Sequence, residues 1–210
     1  MKELDLLKKD WQKNDNSFDQ ISETEIYKMI HKKSSSIVKW ILIISILEVL
    51  LWTCTSICFN TDDYLINLNH PELIQYCEIF TYFNYGVILF FIYLFYKNYI
   101  TISTTTSTKQ LMSDILKTRK TVQYYVWYNL GMLLVSLIIG FIIAFFYNPE
   151  LSDLKEKIAA NGKVMAITLG ILFFTTVLLL GVFWLFYRLL YGILLRRLYA
   201  NYKELKKIDL

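Results

Sequence analysis

Hydrophobic and polar positions divide the chain into four long apolar runs, over residues 38–59, 74–96, 124–147 and 164–187, separated by polar segments. Each run is near the ~20 residues that carry a helix across a ~30 Å hydrocarbon core. Helices are the reading because a lone strand in lipid cannot satisfy its own backbone, and the runs lack the alternation of a membrane barrel. A soluble four-helix bundle would need a polar stripe along each helix. Residues 130–146 and 167–186 contain no charged residue at all, so the pattern predicts a four-span transmembrane bundle. The first run follows a long polar segment, exceeds a signal-peptide core in length and lacks a small-residue cleavage site, so it is expected to remain as an anchor.

The polar segments carry their own periodicity. Leu4, Leu7 and Trp11 recur at i, i+3 and i+7, which predicts a short helix over 3–13 that breaks at 14–17. Ser22 and Glu25 stand as a capping box, opening a second helix with Ile26 and Ile30 on one edge. These two elements either rest on lipid headgroups, the commoner use of such helices, or dock a protein partner. After the Ser/Thr-rich residues 101–108, Leu111, Ile115 and Val122 line one face of a helix that joins the third span without a Gly or Pro to interrupt it. The fourth apolar run overshoots the membrane: residues 164–195 would extend about 48 Å as a helix. Arg188 can snorkel at the border, and Arg196, Arg197, Lys203, Lys206 and Lys207 follow on an extension. The expected organisation is amphipathic cytoplasmic helices over 1–36, a four-span domain over 37–195 and a cytoplasmic tail over 196–210.

Composition agrees with this division. The 55% hydrophobic and 17% aromatic content exceeds that of soluble domains. Charge then orients the spans. Nineteen of the 22 basic residues fall before the first span, between the second and third, or from Arg188 onward, and three fall in the remaining loops. The positive-inside rule therefore places both termini in the cytoplasm. The net charge of +4 describes a membrane face meeting anionic lipid rather than a nucleic-acid surface. Trp40, Tyr76, Tyr96, Tyr124, Tyr125, Trp127, Tyr147 and Tyr187 sit at the expected borders, where aromatic belts form.

Glu48 is the one acidic residue deep within a run. Counted from the border near Val38 it lies about 15 Å in, and Asn84, Ser136, Thr175 and Thr176 fall at about 18 Å by the same count, so one polar layer is expected. A charge at that depth carries a penalty of at least about 2.5–3.5 kcal/mol, which predicts that Glu48 faces the bundle interior or is neutral. The layer serves either an ion, proton or ligand pathway or simply interhelical hydrogen bonds. Ser136, Gly140 and Ala144 on the third run, and Ala166 and Gly170 on the fourth, have small-xxx-small spacing, which predicts close contact between those helices. Cys58 and Cys77 fall near one border, where an oxidising compartment would permit a disulfide. Of the chain's three cysteines at least one thiol must then stay free.

Enzyme signatures are missing: there is no G-x-S-x-G, P-loop or CxxC, and the two histidines, His31 and His70, are expected on opposite membrane faces. No cofactor, metal or catalytic residue is expected.

The stretches ELDLLKKDWQK (3–13), EIYKMIHKKSSSIVKWILIISILE (25–48) and LMSDILKTRKTVQYYVWYNL (111–130) resemble an uncharacterised family of small four-span inner-membrane proteins of Bacteroidetes bacteria. Members of that family are often encoded beside an extracytoplasmic-function sigma factor. The resemblance implies a bacterial inner-membrane location and a regulator that holds a cytoplasmic protein such as a sigma factor. Some members carry a carotenoid-oxygenase label, which requires a four-histidine iron site, whereas this chain has two histidines. Recognisable anti-sigma domains are longer than its 36-residue amino-terminal segment, and their HxxxCxxC zinc motif is absent. Two functions are therefore in view. One is a non-enzymatic membrane regulator with a partner bound through Leu4, Leu7, Trp11, Ile26 and Ile30. The other is a small transporter or channel-like homo-oligomer built on the Glu48 layer.

Overall fold

Ser22 opens the first helix as the spacing of Ser22 and Glu25 predicts. Its hydroxyl accepts from the Glu25 N–H at 3.3 Å, and the Glu25 carboxylate accepts from the Ser22 N–H at 3.3 Å. In the computed structural model, which describes residues 22–58, 65–66 and 72–208, this helix, α1 (Glu23–Cys58), runs unbroken through the serine tract into the first apolar run. Four more helices follow: α2 (Glu72–Thr104), α3 (Thr108–Tyr147), the short α4 (Ser152–Ala160) and α5 (Gly162–Ile208). Among the described residues there is no strand, so the chain is all-α. α1, α2, α3 and α5 are each long and apolar enough to cross a membrane.

The breaks have local causes. Between α2 and α3 the Thr105 hydroxyl is shared by the Thr101 carbonyl oxygen at 2.6 Å and the Asp114 carboxylate at 3.1 Å, closing a tight turn. Pro149 ends α3 and opens a 3-10 turn (Pro149–Leu151), in which the Asn148 side chain accepts from the Glu150 N–H at 2.9 Å. Lys155 on α4 turns back to donate to the Phe146 and Asn148 carbonyl oxygens, at 3.2 and 3.3 Å, so its cation meets the negative end of the α3 dipole. Asn161 then caps α5 by accepting from the Lys163 N–H at 2.9 Å.

α1 packs on α2 and α5, and α3 packs on α2 and α5, in the up-down-up-down order of an antiparallel four-helix bundle. The Tyr27 hydroxyl donates to the Thr105 carbonyl oxygen at 3.1 Å, and Asn201 donates to Ser34 at 2.9 Å. These bonds put the start of α1, the α2–α3 turn and the end of α5 at one end of the bundle, here called the basic end. Burial raises the Tyr27 phenol above its ordinary range, keeping it a donor.

α3 and α5 contain 40 and 47 residues, about 60 and 70 Å, so they outrun a bilayer by tens of ångströms. The surplus packs into a second core. Ile30, Val38, Ile102, Leu111, Ile115, Leu198 and Leu205 are buried together there, with Ile26 half-buried against them. The first core, closer to the middle of the spans, holds Ile41, Ile88, Phe95, Val122, Tyr125, Leu130, Tyr187 and Tyr191. Residues 23–36 and 196–207 pack with the other helices at the basic end of the bundle, and Ile30 and the half-buried Ile26 turn into that core. The physical reason is that all four helices extend past the spans together, so their apolar edges meet one another. Leu4, Leu7 and Trp11 lie outside the described residues.

Toward the other end, the loop end, large apolar side chains face outward, among them Phe146, Ile167, Ile171, Phe173 and Phe174, each more than 60% exposed. Lipid tails are as apolar as these side chains, so no hydrophobic force drives them inward there.

Candidate functional site

The inward positions of α1 are Ile30, Ser34, Val38, Ile41, Ser45 and Glu48, in steps of three and four. Those steps form the heptad-like seam of a helix that packs in a bundle. Glu48 therefore faces inward because it continues a seam that begins far from it, and it is 7% exposed. The same steps carry Leu111, Ile115, Thr118, Val122 and Tyr125 along α3, and Tyr187, Tyr191, the half-buried Leu194, Leu198, Asn201 and Leu205 along α5. Three tyrosines thus reach the level of Glu48.

All three phenols donate to its carboxyl. Tyr125 and Tyr191 reach Oε2 at 3.0 and 3.1 Å, and Tyr187 reaches Oε1. Three O–H donors converging on one carboxyl replace the hydration that the group forfeits in hydrocarbon. Aromatic rings close the surroundings: Tyr125 meets Phe91, Phe95 and Tyr191 edge-on with centroids 5.4, 5.3 and 5.9 Å apart, and Tyr187 stacks on Tyr191 at 6.1 Å.

On the loop-end side of this cluster lies a cavity of about 280 Å³ walled by α1, α2, α3 and α5. Tyr187 belongs both to its lining and to the Glu48 cluster. The walls mix apolar and aromatic groups, including Trp52 and Phe183 stacked at 5.7 Å, with the polar side chains of Ser56, Thr81, Asn84, Asn129 and Ser136. Asn84 Oδ1 accepts from the Tyr128 hydroxyl at 3.1 Å, and Asn129 Nδ2 donates to the Tyr125 carbonyl oxygen at 2.9 Å. A largely apolar cleft with a few fixed polar groups is the arrangement that holds a small molecule and sets its orientation.

The expected polar layer is thus divided. Asn84 and Ser136 line the cavity above Glu48 rather than bonding to it, and Ser136 donates to the Met132 carbonyl oxygen of its own helix. Thr175 and Thr176, both half-buried, donate to the Ile171 and Leu172 carbonyl oxygens within α5. Counting depth from the edge of each apolar run placed these threonines level with Glu48. The register of α5 is instead set by its pairing at the basic end, which brings Tyr187 and Tyr191 to that level. Tyr125 and Tyr187, expected in an interfacial belt, belong to the buried cluster. The inward steps of three and four along α3 and α5 were the signal that could have found them.

The small residues also depart from expectation. α3 and α5 are neighbours, but a Cβ added at Gly140 or Gly170 meets nothing within 4 Å, and Gly140, Ala166 and Gly170 are exposed while Ala144 is half-buried. Their contact is made toward the basic end by Tyr125 with Tyr191 and by Arg119, whose guanidinium lies 4.3 Å from the Tyr199 ring centroid. Among the described residues no group of three His, Cys, Asp or Glu side chains gathers as a metal set, and no disulfide forms.

Compared with known proteins, residues 24–210 match the model of a family described as a domain of unknown function (DUF8845). No curated protein and no solved structure matches the chain.

Proposed function

We propose that this chain, which belongs to the DUF8845 family, is a non-enzymatic integral membrane protein that binds a small amphipathic molecule in the cavity above Glu48 and acts as a membrane-tethered regulator. One observation carries the reading: all four spanning helices wall a cavity whose floor, Tyr187, is hydrogen-bonded to the buried Glu48. At about 280 Å³ it falls just under the ~300–1,000 Å³ usual for ligand pockets, which favours a ligand of modest size. Helices that run unbroken from the cavity walls into the basic-end core provide rigid elements through which occupancy can shift that core.

The basic end faces the cytoplasm, supported by the nineteen-to-three division of basic residues. A bacterial inner membrane is the setting implied by the family resemblance of the three sequence blocks. A cytoplasmic partner, a sigma factor in that context, would dock through the segment carrying Leu4, Leu7 and Trp11, since Ile26 and Ile30 are occupied within the bundle.

Transport through Glu48 is the second reading, and the packing weighs against it for a single copy. Below the cavity Ile41, Phe95, Tyr125 and Tyr191 are each at most 1% exposed and leave no path onward. Flux would require a homo-oligomer in which the bundle opens.

The test is native mass spectrometry of the chain extracted from its own membrane. A retained small molecule that is lost from Ser136→Phe, which fills the cavity, supports the proposal. No molecule retained by either protein overturns it. Proton flux in liposomes that falls with Glu48→Gln would favour transport. Reporter fusions at the two termini should both report the cytoplasm, and crosslinking from residues 1–21 should recover the partner.

A further inference from the structure

A second concavity, separate from the Glu48 cavity, lies between α1 and α5 at the basic end, with a volume of about 630 Å³. Lys32 and Lys33 from α1 and Arg197 from α5 converge on it, together with the Ser36 hydroxyl. Met29 and Ile37 supply an apolar wall. Its floor is rigid, because Asn201, itself 7% exposed, donates to the fully buried Ser34 at 2.9 Å and ties the two helices together.

The three cations are unspent. Among the described residues none of Lys32, Lys33 and Arg197 makes an ion pair, and all three side chains are exposed. Three positive charges held together without a carboxylate repel one another, so the arrangement favours an anion that bridges them. A phosphate group fits that demand: Arg offers a planar fork, Lys a mobile point charge and Ser a neutral donor.

Height along the bundle selects the source of the phosphate. Outward-facing apolar side chains continue down α1 to Trp40, 55% exposed, and down α5 to Ile193, 48% exposed. Lys33 lies seven residues beyond Trp40 and Arg197 four residues beyond Ile193, about 10 and 6 Å along the helix axes. The polar headgroup zone extends roughly 5–8 Å past the hydrocarbon on each side. Arg197 therefore stands at the level of lipid phosphates, with Ile37 and Trp40 on the acyl side. The long side chains of Lys32 and Lys33 can reach back to that level from just beyond it.

We propose that this groove is a binding site for the phosphate headgroup of an anionic phospholipid, which bridges α1 to α5. Occupancy would clamp the two helices across the Ser34–Asn201 bond, so the anionic lipid content of the leaflet would tune the stability of the basic-end bundle. The inference rests on the spanning helices and is independent of any ligand above Glu48.

The experiment uses the full chain in nanodiscs of phosphatidylcholine with or without phosphatidylglycerol, with thermal unfolding and retained lipid as readouts. Phosphatidylglycerol should raise the melting temperature and co-purify with the chain. The triple variant Lys32→Ala, Lys33→Ala, Arg197→Ala should lose that shift and reduce retained anionic lipid about tenfold or more, as neutralising three interfacial cations allows. A control, Lys109→Ala, Lys117→Ala, Lys120→Ala, removes the same charge from exposed positions on α3 and should keep most of both. Circular dichroism of all variants separates lost binding from lost folding, and Lys33→Arg should keep the binding that Lys33→Ala weakens. Equal losses in the two triple variants would overturn the site in favour of diffuse surface attraction. Equal protection by inorganic phosphate in discs of phosphatidylcholine alone would overturn the lipid assignment.

Discussion

Replacing Tyr125 and Tyr191 together by phenylalanine removes two hydroxyls and leaves both rings in place. In the native chain those hydroxyls donate to Glu48 Oε2 at 3.0 and 3.1 Å, in a site where the tyrosines are at most 1% exposed. Interhelical hydrogen bonds within membranes contribute about 1 kcal/mol each, so the double substitution should destabilise the bundle by about 2 kcal/mol, roughly thirtyfold in the folding equilibrium. In a Glu48→Leu background the sign should change. The two hydroxyls are then buried with no carboxyl to receive them, at a penalty of about 1–3 kcal/mol for each one left unsatisfied, and pairing with each other meets only part of their need. Removing them should be neutral or stabilising, giving a coupling of about 2 kcal/mol or more between Glu48 and the pair. Tyr187 is unsuitable for this cycle because it also lines the cavity, so its substitution would alter that wall as well. The assay is reversible unfolding in mixed micelles, followed by circular dichroism for all four members of the cycle. The same destabilisation in both backgrounds would refute the claim that these hydroxyls serve the carboxyl.

The two halves of the bundle should respond differently to truncation. Leu198→Ala removes a fully buried side chain from the basic-end core and should destabilise by about 2–5 kcal/mol, whereas Phe173→Ala, 73% exposed toward lipid, should change stability by less than about 1 kcal/mol in the same unfolding assay. Gly140→Ala and Gly170→Ala should be tolerated or slightly stabilising, because the added methyl meets open space and alanine favours the helix by up to about 1 kcal/mol; a marked loss of stability would restore the small-residue contact. Ser34→Ala should lower stability by about 0.5–1.5 kcal/mol and show coupling to Asn201→Ala, since each is the other's partner at 2.9 Å; additive effects would argue against the bond.

The four helices long and apolar enough to cross a membrane and the capping box at Ser22 were legible in the sequence, and so was the unbroken passage of α3 from residue 108 through its apolar run. Each rests on interactions within one helix or between one helix and its solvent. Twenty apolar residues need lipid whatever their neighbours are. Ser22 and Glu25 complete one another locally. That Glu48 must either turn inward or be neutral also followed from a single residue, because a charged carboxyl pays a penalty in hydrocarbon wherever the other helices lie.

What only the tertiary structure decided is which residues share a level. Long apolar helices can slide past one another with little change in their exposure to lipid, so hydropathy leaves their register open. The basic-end core, where Ile30, Leu111, Leu198 and Leu205 must fit one another outside the spans, determines it. That registry brings Tyr125, Tyr187 and Tyr191 to Glu48 and leaves the Thr175 hydroxyl bonded within its own helix. The same fit turns Ile26 and Ile30 from an apparent docking edge into core, because an amphipathic face reveals that it will be covered but not by what.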